Sequence, residues 1–145
     1  MPNLSGSCHC GGVRVEIRTE RELSEISLRA CQCGFCRRHG VKTFTNPAGL
    51  VRIESDRPLV RYRFGKGTAD FLLCPRCGTY AGAVFEDRGR HLATINVVGL
   101  QITPLAERAA EPVHYEDEDI EVRRKRRQAV WMPAIVQEGR ETPQQ

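Results

Sequence analysis

Long apolar runs are missing from this chain of 145 residues. No stretch approaches the roughly 18 residues that span a bilayer, so a transmembrane helix is excluded. The opening residues, MPNLSGSCHCGG, carry no basic segment leading into an apolar run. No secretory signal is therefore expected, and the expected location is the cytoplasm. Aromatic residues are scarce at 6%, and few lie near the basic run RRKRR (123–127) to stack on bases. With acids just upstream to neutralise that run, nucleic acid is not an expected partner. An even cysteine count is lacking too: there are seven. The Cys-x-Cys spacing would also close a small, strained ring. A disulfide framework is excluded on both grounds, and reduced thiolates held by metal fit better.

A strong excess of one charge is absent as well. The formal charge is +4 with cysteines counted as neutral. Seven thiolates subtract seven and two Zn²⁺ ions add four, leaving +1, so a general pull toward polyanions is weak. The length suits a single domain, read as residues 1–132, with 133–145 expected to be a flexible tail.

What is present begins with period-2 alternation. Val13, Val15 and Ile17 alternate with Arg14, Glu16 and Arg18, which predicts a half-buried strand. Further strands are predicted in EISLRAC, on either side of Asn46-Pro47, in LVRYRF, in TADFLL, and on both sides of a turn near Asp87 to Gly89. Short strands with such punctuation indicate a mostly antiparallel β domain. YEDEDIEVRRKRRQAVW runs from acidic to basic, an order that complements a helix dipole. It predicts a short, solvated surface helix with i,i+4 pairs Asp119–Arg123 and Glu121–Lys125.

The cysteines fall into clusters: Cys8 and Cys10; Cys31, Cys33 and Cys36; Cys74 and Cys77. CPRCG (74–78) has the form of a zinc knuckle, in which a tight turn aims two sulfurs at one ion and the glycine lets the backbone turn. A structural zinc takes four ligands, and Cys8 with Cys10 completes the knuckle. That leaves Cys31, Cys33 and Cys36 in CQCGFCRRHG (31–40), three ligands with one open position, the form of a catalytic zinc site. Other readings of the same residues stay open here. The triple cluster could be closed by His39 or His9, the pairing could take two ligands from the triple cluster, or the thiolates could hold an iron–sulfur cluster.

GSCHCGGVRVEI, CQCGFCRRHG, LLCPRCGTY and INVVGL, in this order, resemble the glutathione-dependent formaldehyde-activating enzyme family, which includes centromere-protein-V-like domains. The resemblance runs from about Gly6 to Val98, and the C-terminal segment is similar to the end of many short bacterial members. It implies a zinc-stabilised antiparallel β-tent fold with a short C-terminal helix. It implies Cys8, Cys10, Cys74 and Cys77 as structural zinc ligands and Cys31, Cys33 and Cys36 as the active-site set. The implied activity is that of a carbon–sulfur lyase joining formaldehyde to glutathione, so Zn²⁺ at two sites and a small thiol and aldehyde as partners are expected. Partial occupancy is expected at the open site. Gln32 stands where members often have His. Arg37 and Arg38 follow the triad, and an arginine matches a carboxylate of glutathione bidentately, so they are candidate substrate contacts.

Overall fold

A computed structural model describes residues 3–140. Eleven strands form one open, mainly antiparallel sheet. They are β1 (Asn3–Ser7), β2 (Val13–Arg18), β3 (Leu28–Cys31), β4 (Thr43–Phe44), β5 (Leu50–Ser55), β6 (Val60–Tyr62), β7 (Asp70–Leu73), β8 (Tyr80–Asp87), β9 (Arg90–Asn96), β10 (Ala110–Val113) and β11 (Met132–Glu138). Two helices interrupt them, α1 (Gly34–His39) and α2 (Ile120–Val130).

β9 is where three arms of the sheet meet. The order β1-β2-β5-β11 reaches it through residues 91–93, β4 with β3 and β10 reaches it through residues 95 and 96, and β8 lies along it with β7 and β6 beyond. The expected alternation holds on β2, where Val13, Val15 and Ile17 are buried and their charged neighbours exposed. With Val51 and Ile53 of the paired β5 they form the main core, joined by Leu72, Ile95, Leu100 and Met132. Removing water from each such aliphatic side chain stabilises the fold by about 1.5–3 kcal/mol.

Two pairings are parallel, β3 with β10 and β5 with β11. The second corrects the reading of 133–145 as a loose tail. Pro133 disguises a strand, because proline removes a ladder donor and only three apolar residues, Ala134, Ile135 and Val136, separate it from Gln137 and Glu138. The strand forms because Met132–Ala134 pairs with β9 and Ala134–Glu138 with β5, which burial of Met132 reinforces. Its end is tied down: Glu138 accepts from the Leu59 amide at 2.8 Å and pairs with Arg61 at 2.8 Å, and the Gly139 amide donates to Ser55 O at 2.8 Å. Residues 141–145 lie outside the described residues.

α2 occupies the segment read as a helix, with Asp119 as its N-cap accepting from the Val122 amide at 2.8 Å. The expected i,i+4 pairs are replaced, since Asp119 caps the helix and the acid that organises it is Glu118, just outside. Arg126 binds Glu118 through two bonds of 2.9 Å, and Arg123 approaches it at 3.6 Å. Nor is the basic face wholly solvated: Arg127 is buried and Arg123 and Arg126 are half-buried. α1 escaped sequence reading because six residues are too few to show a period. Cys33 caps its start, and Gly40, at φ 59°, ends it in the left-handed conformation that glycine adopts freely.

Deleting 132–145 is expected to abolish cooperative thermal unfolding, because both β5 and β9 lose a neighbour. Met132→Ala should cost about 2–5 kcal/mol in denaturant titrations.

Candidate metal centres and the adjoining cleft

The first centre is assembled from two turns. Cys8 and Cys10 lie in the connection from β1 to β2, and Cys74 and Cys77 in the connection from β7 to β8. Their four sulfurs lie within 4.8 Å of one another, with Cys8–Cys10 and Cys10–Cys74 both at 3.6 Å. Sulfurs about 2.3 Å from one tetrahedral zinc stand about 3.8 Å apart, so the set fits a single ion. It leaves no room between the sulfurs for several irons. Backbone amides face the sulfurs: Val13 donates to Cys8 at 3.3 Å, Gly12 to Cys10 at 3.4 Å and Arg76 to Cys74 at 3.4 Å. Such donors favour the thiolate form and orient it. Gly78, at φ 78°, makes the knuckle possible. Burial pushes the Cys74 thiol up to about 11. Burial also opposes ionisation of Cys77, but hydrogen bonds led by the Thr79 hydroxyl at 3.2 Å outweigh it and bring that thiol down to about 5.

The second centre comes from one stretch. Cys31 ends β3, Cys33 caps α1, and Cys36 lies buried in the first turn of α1. All three sulfurs fall within 4.8 Å of one another, and the Cys36 amide donates to Cys33 Sγ at 3.4 Å. Hydrogen bonds from Cys31 and then Cys36 bring the Cys33 thiol down to about 2. The hydrogen bonds among these sulfurs, with burial behind them, hold the protons on Cys36 and Cys31 above the usual thiol range. A divalent ion would displace those protons and draw all three sulfurs in as thiolates.

Among the described residues no histidine or carboxylate joins this triad. His39 is exposed, its ring 4.5 Å from that of Phe35, and His9 lies on a separate cleft beside β1 and β2. The triad is therefore one ligand short of a closed tetrahedral site. Gln32 turns its amide back onto Ala30 O at 2.9 Å.

The open side of the triad faces a cleft of about 730 Å³. Its apolar wall holds Phe35, Tyr62, Phe64, Phe71, Tyr80 and Trp131. The first five stack in one connected group, with Phe35 in contact with each of the others at 4.9–5.8 Å between ring centres. The alternation in LVRYRF was thus a real signal, but Val60 and Tyr62 are exposed to about half, and Tyr62 and Phe64 face the cleft rather than the core. Burial, followed by the charge of the nearby sulfurs, keeps the Tyr80 phenol protonated well above its ordinary range.

The other wall is cationic: Arg29, Arg38, Lys66, Arg123, Arg126 and Arg127. Of the two arginines after the triad, Arg38 lines the cleft and donates to Gly34 O at 2.8 Å, while Arg37 is exposed and outside the lining. The contribution of α2 could not be read from its sequence alone. It is held over the cleft by Glu118, by the Arg126 guanidinium 3.5 Å above the Tyr115 ring, and by the hydrogen bond from Lys66 to Glu118 O. Arg124 turns away to Asp87 at 3.3 Å, so four of the five cations of RRKRR have places within the chain. No helix of the described residues is long and apolar enough to cross a membrane.

The chain matches the family described as "Glutathione-dependent formaldehyde-activating enzyme" over residues 3–115. It is also similar to the crystal structure of a Rhodobacter sphaeroides protein, at 27% identity and a TM-score of 0.56, covering 75% of this chain and 99% of that one. The family match ends before α2 and β11.

Two zinc ions per chain are expected by plasma mass spectrometry. Cys36→Ala should bind one and stay folded, whereas Cys74→Ala should lose the fold together with the first ion. An unchanged count in Cys36→Ala would contradict the division of ligands. Glu118 yields a pH test. Burial opposes its ionisation, but Arg126 and Arg123 hold its carboxyl below the ordinary value of 4.5. A carboxyl lowered in the folded state stabilises above its unfolded value and loses that contribution as pH falls through the folded one. The stability gap between the wild type and Glu118→Gln should be full at pH 7 and close below about pH 4.5, measured by denaturant titration at matched zinc loading.

Proposed function

Because the chain belongs to the glutathione-dependent formaldehyde-activating enzyme family, we propose that it joins a small thiol, glutathione in the first instance, to formaldehyde or another small aldehyde. The observation that carries this reading is the incomplete triad on the wall of a cleft: three sulfurs within 4.8 Å of one another, with no fourth ligand among the described residues. Cys31, Cys33 and Cys36 would hold zinc, which when bound lowers the pKa of a thiol entering its open position. The substrate sulfur forms a bond to the aldehyde carbon, the carbonyl π bond breaks toward oxygen, and the proton lost by the thiol ends on that oxygen. Atoms and charge balance without a further reactant.

The protein's own residues supply position and surroundings. The buried Cys36 and its amide bond to Cys33 fix the triad on α1. The aromatic wall gives the triad an apolar flank, and an apolar flank strengthens electrostatic interactions beside it. Arg38, on the cleft beside the triad, is proposed as a contact to a carboxylate of the thiol; Arg37 faces solvent and has a lesser place in this reading. Lewis activation of the aldehyde is the weaker half of the chemistry, because three thiolates leave a net −1 on a divalent ion. The same electrostatics favour a second reading, a carrier that binds the thiol without turnover.

Formation of the hydroxymethyl thioether from glutathione and formaldehyde, followed by exchange NMR, is expected to exceed the spontaneous rate. Cys36→Ala should return it to that background. Tight thiol binding with no acceleration would select the carrier, and absence of both would reject the thiol reading.

A further inference from the structure

Arg127 differs from the other cations of the cleft. Only 7% of it is exposed, and among the described residues no carboxylate pairs with it. Its Nη1 donates to Thr68 Oγ1 at 2.9 Å and to Thr68 O at 3.2 Å, while Nε is buried without a hydrogen-bond partner. Its guanidinium carbon lies 4.6 Å from the centre of the Trp131 ring and 5.7 Å from that of Phe85. The rings steady the group but leave its donors incomplete. A cation removed from water is costly unless its donors are used. Glu118 performs that service for Arg123 and Arg126, and Asp87 for Arg124. Burial, then the charges of Arg126 and Arg123, lower Arg127 to about 10, so it remains a cation at neutral pH. It lines the cleft the triad opens on, and also a neighbouring surface cleft that holds Arg61, Arg63 and Asp70.

We infer that Arg127 is the anion-recognition residue of this cleft, taking a carboxylate of the substrate thiol whose sulfur meets Cys31, Cys33 and Cys36. The identity of the ligand as a thiol rests on the proposed function; the anion site does not. A planar guanidinium matches a carboxylate in a bidentate way that lysine cannot reproduce. Arg127 lies beyond the segment matched to the family, so the substrate preference it confers is carried by this chain's own α2.

The test is calorimetric titration of the zinc-loaded full chain with glutathione, glutathione diethyl ester and S-methylglutathione. Wild type is expected to bind the free acid about ten- to hundredfold more tightly than the diester. Arg127→Gln should erase that preference, and Arg127→Lys, the less disruptive change, should reduce it at least about threefold. Equal binding of acid and diester by wild type overturns the inference without any variant. So does a preference that survives intact in the folded variants, or no saturable binding of either free acid. S-methylglutathione separates this inference from the thiol reading. If it binds as glutathione does and its affinity depends on Arg127, the anion site stands and the thiol reading falls. If the diester binds in a Cys36-dependent way with no preference for the acid, the thiol reading stands and the anion site falls.

Discussion

Four sulfurs from two turns must converge on one point, and the rest of the molecule is arranged around that requirement. Cys10 and Cys74 are 64 residues apart in sequence, yet their sulfurs are 3.6 Å apart. β1 and β7 belong to different arms of the sheet and do not pair with each other. The sulfur set ties the turns that follow them together, so an open sheet closes over its own core instead of remaining a flat surface. Leu4, Cys8, Leu72 and Cys74 sit in the same buried cluster as the β2 and β5 aliphatics. An ion bound by these four sulfurs would couple its binding to hydrophobic burial and strand pairing, since binding free energy is then folding free energy.

The second cysteine set makes a different compromise. Its three sulfurs come from a strand end and a six-residue helix, so their spacing is fixed locally. Among the described residues no histidine or carboxylate closes the set. The cleft in front of it is formed by parts far apart in sequence: β6 and the loop after it, β7, the start of β8, and α2. A locally rigid, incompletely ligated site opening on a non-local cleft separates two tasks. In the proposed function, the triad would decide the chemistry and the walls which molecule reaches it.

α2 shows how the same charges can be read in two ways. As a string, acids precede bases, and the helix looks self-neutralising and solvated. In three dimensions, Asp119 is used by the helix N-terminus and Glu118 gathers Arg123 and Arg126. Arg124 leaves for Asp87 on β8, and Arg127 turns inward against Thr68 and Trp131. The helix thereby becomes one wall of the cleft, and its position depends on a few charge-assisted bonds instead of a broad apolar face.

The cysteine spacings marked out the three local clusters and favoured sets of four and three, and the period-2 patterns determined most strands, because both depend on neighbours a few residues apart. The Asn46-Pro47 turn and the α2 segment were legible for the same reason. Tertiary structure decided the rest. That Cys8 and Cys10 meet Cys74 and Cys77 is a tertiary outcome. Tertiary pairing put Pro133 and its followers into β11, because β5 and β9 each had an edge to fill. It turned Tyr62 and Phe64 from the core to the cleft, excluded His9 and His39 from the triad, and chose Arg38 over Arg37 as the lining residue. Those outcomes follow from which distant surfaces meet and which polar groups lose water there, and neither is written in local spacing.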